Sequence, residues 1–272
     1  MRAPRAGFTL VELAVTLFIV TLLLGSILIP LQTQVESRKI EETQEILDRA
    51  REALLGYAAS FGYFPCPATD TSNGMEPPPP VPLPPAPPTT PGTHHDTGAC
   101  ATYTGFLPAA LLGFLPVDGQ GYAIDAWGNT APHRIRYAVS DHTVGGIARP
   151  FTQSGGMAAA GIPSIGANSD LLYICGSGAF VNVGVNCGGA GSAQTLASNV
   201  VAVLWSPGQN ATSGGVSAHE AENPNPNLIG SADRIFVSRV RSTSGAAEFD
   251  DQLTWISGFM VVTRLVASGQ LP

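Results

Sequence analysis

From Leu13 to Leu31 the chain carries no Asp, Glu, Lys, Arg or His, and the apolar stretch from Phe8 to Leu31 is 24 residues long. A helix needs about 20 apolar residues to cross the hydrocarbon core of a bilayer, so the pattern predicts a transmembrane helix over 8–31. One acid, Glu12, stands near the beginning of this run, and a short basic leader, Met1 to Gly7, precedes it. An acid at the centre of a membrane helix costs roughly 2.5–3.5 kcal/mol, less near the interface, and usually has a partner. The helical pattern then continues in amphipathic form over 32–62. Val35, Ile40, Ile46, Leu47, Ala50, Leu54, Tyr57, Ala58 and Phe61 follow a stripe of 3.6-residue period. Glu41, Glu42, Glu45, Asp48, Arg49 and Glu52 mostly take the other faces, and Gly62 and Pro65 end the helix. At 1.5 Å per residue, Phe8 to Phe61 makes about 80 Å of helix. Gly25 and Pro30 are the expected places for a bend or local melting.

Beyond residue 62 the period changes. Residues 77–91 hold ten prolines in fifteen positions, a polyproline II segment with no core of its own. It reads as an insertion in the head, since loops accept extra length at small entropic cost. Phe106 to Leu115 is apolar with prolines, a short turn or helix. Short strand-type runs follow at 134–139, 171–175, 200–206, 234–240 and 253–256, separated by Gly, Asn and Ser clusters. Gly258 to Ala267 returns to helical spacing, with Ser257 as N-cap and Gly269 as C-cap. The expected fold is α+β: a long N-terminal helix, its second half packed on an antiparallel sheet, with a short terminal helix. No internal repeat is visible.

Composition narrows the function classes. Only 12% of the 272 residues are charged, and the chain holds 31 Gly and 23 Pro. That suits a loop-rich domain outside the cytoplasm better than a cytosolic enzyme. The net charge is −7, and loss of Arg2 and Arg5 with the leader leaves −9. With no basic stripe, nucleic acid is not an expected partner. Cys66, Cys100, Cys175 and Cys187 are an even set behind an export-type segment, which points to disulfides. Three connectivities are open. The sequential one, Cys66–Cys100 with Cys175–Cys187, is favoured because each bond closes a local loop. Zinc is disfavoured, because the spacings lack C-x-x-C and no His is placed to complete a ligand set.

A cleaved secretory signal does not explain the first segment, because its apolar run exceeds the usual 7–15 residues and no A-x-A site follows. A buried core helix is disfavoured by its length. A plain anchor leaves Glu12 unexplained. The stretch Gly7-Phe8-Thr9-Leu10-Val11-Glu12-Leu13, with its basic leader and apolar helix, closely resembles the start of type IV prepilins and pseudopilins. The resemblance implies cleavage by a prepilin peptidase between Gly7 and Phe8 and methylation of the new Phe8 amine. It also implies pairing of Glu12 with the Phe8 amine of a neighbouring subunit. The implied partners are other pilin or pseudopilin subunits and the inner membrane. The implied location is a single-pass inner-membrane protein with a periplasmic head, later a surface filament or a periplasmic pseudopilus.

Within the head, Asp125-Ala126-Trp127-Gly128-Asn129 followed by Arg136-Tyr137 resembles a stretch of the major pseudopilin of type II secretion, as does Phe64-Pro65 after the helix. Ala126 stands where that family has proline. The resemblance implies a calcium loop near the C-terminus, where Glu248, Asp250 and Asp251 are the dense acidic cluster; otherwise no cofactor is expected. A solvated turn before the last strand is the plainer reading. Paired His94-His95 with Asp96 reads as solvated loop residues; His219-Glu220-Ala221-Glu222 has residue types that could hold a metal but lies in an Asn/Pro/Gly-rich loop. No G-x-S-x-G, H-E-x-x-H or G-x-x-x-x-G-K-[ST] occurs, so no enzyme activity is expected. The expected function is a structural filament subunit, a minor pilin. The alternatives are a type II secretion pseudopilin, or a membrane-anchored periplasmic binding protein or enzyme that never polymerises.

Overall fold

The computed structural model describes residues 7, 9–78, 93–167, 171–178, 187, 193–213, 217–223, 234–243, 245 and 248–271, with backbone only at 24–32, 93, 94, 177, 178, 193 and 194. The leader before Gly7, Phe8 and most of the proline-rich insertion 77–91 lie outside these residues. Met1–Glu42 and Thr43–Pro272 form two compact units.

The first long element, α1 (Leu10–Phe61), contributes to both units. Its helical assignment continues through Gly25 and Pro30, so the local melting expected there is not seen. Proline's fixed φ is compatible with helix even where its missing N–H is not. Within the first unit the described apolar side chains from Leu10 to Leu23 are exposed: Leu10 is 87% exposed and Phe18 67%. Among the described residues, no helix is long and apolar enough to cross a membrane.

In the second unit α1 behaves as its pattern predicts at the centre and not at the ends. Thr43, Ile46, Leu47, Ala50, Leu54, Leu55 and Ala58 are buried, one every three or four residues. Phe61, expected on the stripe, is exposed, as is Val35 in the first unit. Gly62 closes the helix in the left-handed region at φ 78°, its N–H donating to the Ala58 carbonyl at 2.8 Å. Glycine reaches that conformation without a Cβ clash.

The sheet has six strands: β1 (Thr104–Phe106), β2 (Arg136–Val139), β3 (Leu172–Gly178), β4 (Ala193–Ser206), β5 (Ile235–Val237) and β6 (Gln252–Ser257). The order is β1-β2-β4-β3-β5, with β6 also paired to β4. All pairs are antiparallel except β3 with β5, which run parallel. The sheet is therefore mixed rather than the expected antiparallel meander. A strand added beside β3 by a long connection is free to choose either direction. The three-residue β1 and the short α2 (Ala109–Leu112) resolve the apolar Phe106–Leu115 run.

Strand β4 is the centre of the core. Val200 to Trp205 are six consecutive side chains with at most 1% exposure, so both faces of the strand are covered. The terminal helix α6 (Gly258–Ala267) packs on β4 and β6, and the Ser257 hydroxyl accepts from Met260 N–H as an N-cap. Its C-cap is Ser268, one residue before the glycine expected there. Arg264 of α6 pairs with Glu52 of α1, and Arg51 donates to the Thr254 hydroxyl of β6 at 2.9 Å. Two short helices, α3 (Gly156–Ala160) and α4 (Ile162–Ala167), lead into β3, and α4 packs on α6.

Disulfides join Cys66 to Cys100 and Cys175 to Cys187, each with Cα atoms 5.5 Å apart. Their separations of 34 and 12 residues correspond to loop-closure stabilisation on the order of 4 and 3 kcal/mol. Replacing each pair by serines should lower the urea midpoint of the full-length protein in detergent, more for Cys66–Cys100 than for Cys175–Cys187. A reversed order would show that chain-closure entropy does not govern these bonds.

Candidate functional site

Three groups of polar residues stand out, one in the first unit and two in the second. In the first, the Glu12 carboxylate accepts from the Thr9 hydroxyl at 3.4 Å and lies 3.5 Å from the Thr9 amide, while the Thr9 hydroxyl accepts from Glu12 N–H at 3.2 Å. This reciprocal Thr-x-x-Glu pattern is a capping box, which satisfies amides that a helix N-terminus leaves open. The isolated chain thus gives Glu12 a local partner that the sequence reading did not foresee. The surrounding side chains from Leu10 to Leu23 expose a long apolar surface. Surfaces of that extent mark contact with other proteins or lipid.

The second group is centred on Asp125, which is 4% exposed. Its Oδ1 accepts from the Trp127 amide at 2.8 Å and the Gly128 amide at 3.3 Å, and its Oδ2 accepts from the Ser206 hydroxyl at 2.6 Å. His133 Nδ1 lies 3.5 Å from Oδ1. Burial pushes the Asp125 carboxyl up, opposed by the Ser206 hydroxyl, the Trp127 amide and His133. Gly128 has no room for a side chain, since a Cβ there would fall 2.4 Å from His133 Cδ2. The next amide, Ala126 N–H, donates to the Thr43 hydroxyl of α1 at 3.2 Å. The Asp-Ala-Trp-Gly stretch is a turn that ties the end of β4 to the helix. Ser206 bonds Asp125 and not His133, so the trio has no nucleophile–base contact.

The third group gathers acids from distant parts of the sequence. Glu220 lies on α5 (Ala218–Glu222), and Asp250 and Asp251 lie just before β6. One ligand oxygen from each falls within 4.8 Å of the others. Glu220 also forms a capping box with Ser217, which fixes its side chain. Asn210 Nδ2 donates to both Glu220 oxygens at 3.1 and 3.2 Å, and Asp250 N–H donates to Glu220 at 2.9 Å. Asn223 Nδ2 donates to Asp251 at 2.6 Å. Asp250 Oδ2 accepts from Asn210 N–H at 3.0 Å, while its buried Oδ1 makes no hydrogen bond. Burial, then Glu220, pushes Asp250 up to about 6. Burial, then Glu220 and Asp250, pushes Asp251 up to about 8.

This cluster revises the sequence expectation. Asp250 and Asp251 are members, but the third is Glu220, not Glu248. The Glu248 carboxylate reaches Asn210 Nδ2 at 3.4 Å and stands at the edge. The His219–Glu222 stretch, set aside as loop despite its metal-ligand types, folds as a capped helical turn that carries Glu220 to the cluster. The Ser217…Glu220 spacing was the available signal. His95, expected in solvent, is buried: its Nδ1 is 2.8 Å from the Thr152 carbonyl and its ring stacks on Tyr63 at 4.0 Å. His94 lies outside the residues with described side chains, and so does Phe8 of the processing pair. Gly7 is exposed.

Comparison with known families bears on the first group. The segment is of the prepilin cleavage and methylation class: residues 2–28 match the prokaryotic N-terminal methylation motif. That motif spans the Gly7-Phe8 junction, the Thr9–Glu12 cap and the apolar helix up to Leu28. It supports a type IV pilin-like or pseudopilin subunit, and it implies processing by a prepilin peptidase and assembly with other pilin subunits. No curated protein and no solved structure matches the chain.

Asp125→Ala should remove the shared acceptor of two amides and a hydroxyl inside the core. The expected loss is about 3 kcal/mol, since buried donors left without a charged acceptor are costly. Urea unfolding followed by tryptophan fluorescence measures it; a loss under about 1 kcal/mol would mean that water replaces the carboxylate.

Proposed function

We propose that the chain is a structural subunit of a type IV pilus or related filament, in the role of a minor pilin, with no catalytic activity. The observation that carries this reading is one segment with three properties: the methylation motif at 2–28, the acid Glu12 near its start, and the exposed apolar helix after it. Before assembly the 8–31 helix would anchor the protein in the inner membrane with the head in the periplasm. In the filament the same apolar surface would be covered by other subunits. Removing one member of a buried ion pair costs about 3–5 kcal/mol. A Glu12–Phe8 amine pair between subunits is therefore strict about axial register even where it adds little net stability. The Thr9 cap would hold the first turn of helix so that Glu12 stands at a defined place. A large head with a proline-rich arm favours a minor subunit over a shaft subunit. The type II secretion pseudopilin remains the second reading, favoured by the Asp125–Asn129 turn seated on α1.

Mass spectrometry of the mature protein should find N-methyl-Phe8 as the first residue. An intact Met1 would sink the filament reading. Glu12→Val should leave membrane insertion unchanged and reduce incorporation into fibres; incorporation at the wild-type level would remove the register role. Deleting the gene and scoring surface pili against protein secretion separates pilin from pseudopilin.

A further inference from the structure

Arg134 and Arg136 stand two residues apart at the start of β2, and their surroundings differ. Arg134 is buried and engaged. Its Nε donates to Asp118 Oδ2 at 2.7 Å, a terminal nitrogen donates to Gln120, and its guanidinium lies 3.9 Å from the centre of the Tyr122 ring. Asp118 is occupied in turn, since its Oδ1 accepts from the Gln120 and Tyr122 amides at 2.9 and 3.0 Å. Arg136 is half-buried. It is the ladder partner of Phe106 on β1, and its guanidinium lies 4.3 Å from the centre of that ring. The same ring has Arg134 at 5.6 Å. Among the described residues, Arg136 makes no hydrogen bond and no ion pair.

Two guanidinium cations thus share one carboxylate, and one positive charge is left over. Burial and then the Arg134 charge hold the Arg136 guanidinium below its ordinary value. A charge withdrawn from water without a counter-ion is costly, and a like charge nearby adds to the cost. The Phe106 ring attracts the cation but accepts none of its hydrogen bonds in the plane of the fork. That flat fork has five N–H donors, and two of them match the two oxygens of a carboxylate.

We propose that the half-buried Arg136, seated on Phe106 beside the neutralised Arg134, is the binding site for a carboxylate that comes from another molecule. The charge count favours a monoanion. One carboxylate brings Arg134, Arg136 and Asp118 to neutrality, whereas a phosphate dianion would leave the group negative. The ring positions the fork before the ligand arrives, so less side-chain entropy is lost on binding. Two sources carry this group. One is an acidic side chain on a second copy of the chain, which has 20 Asp and Glu against 13 Lys and Arg. The other is a small soluble carboxylic acid. The inference goes beyond the filament reading and does not depend on it.

The test treats full-length protein in detergent with phenylglyoxal, which adds to free guanidinium groups, and follows each arginine by peptide mass spectrometry. Sodium acetate is the probe, and sodium chloride at the same ionic strength is the control. One charge-assisted bidentate contact corresponds to a Kd on the order of 10 mM, so modification of Arg136 should slow about tenfold at ~0.1 M acetate. Arg49, exposed on α1, should react alike in both salts. The same acetate should raise the unfolding midpoint of the wild-type protein by a few degrees and leave that of Arg136→Lys unchanged, because lysine keeps the charge without the fork. Dilution in chloride buffer separates the sources. An Arg136 rate that rises on dilution assigns the carboxylate to a second copy, and a constant rate assigns it to a small acid. Equal Arg136 rates in acetate and chloride would overturn the site. So would an Arg136→Gln variant that unfolds several degrees below wild type in chloride, since the guanidinium would then serve the fold itself.

Discussion

The head depends on one strand being dry on both faces. Val200 to Trp205 in β4 present no side chain to water, so this strand needs cover above, below and along both edges. The edges are filled by β2, β3 and β6 over different parts of its 14 residues. The faces are filled by the rest of a single core cluster that includes the Ile46–Ala58 stripe of α1. Pairing of its backbone with these strands is the condition under which such a run can leave water. At roughly 1.5–3 kcal/mol for each fully buried large apolar side chain, this strand and the α1 stripe contribute a substantial share of the head's cohesion.

Two buried acidic sites hang from the end of that strand, and they differ in how charge is satisfied. Asp125 receives two amides and the Ser206 hydroxyl, with His133 near by. It is a finished hydrogen-bonded hub whose role is to seat a turn on α1. A few residues further on, Gly208 folds the chain over Asp250, where three acids converge and one oxygen goes unbonded. Burial pushes the carboxyl up at both sites, against more hydrogen-bond donors at the first than at the second.

The first unit follows a different logic. Its apolar side chains from Leu10 to Leu23 lie open along α1, and among the described residues Glu12 is bonded by Thr9. Lipid or other proteins are what usually cover an apolar surface of that extent. The match to a methylation motif supplies the context in which lipid first, and sister subunits later, would do so.

What the sequence determined by itself were features set by neighbours in the chain. The end of α1 at Gly62, the capped helix Gly258–Ala267, most strand positions and the Gly7–Glu12 segment are each decided by a few adjacent residues, through backbone conformation, capping or period. The tertiary structure alone decided what long-range packing controls. It turned β5 parallel to β3, left Phe61 outside the core and buried His95 against Thr152. It also brought Glu220 across 30 residues to Asp250. None of these has a local cause, because the free energy of burying an acid or choosing a strand direction depends on groups far away in sequence.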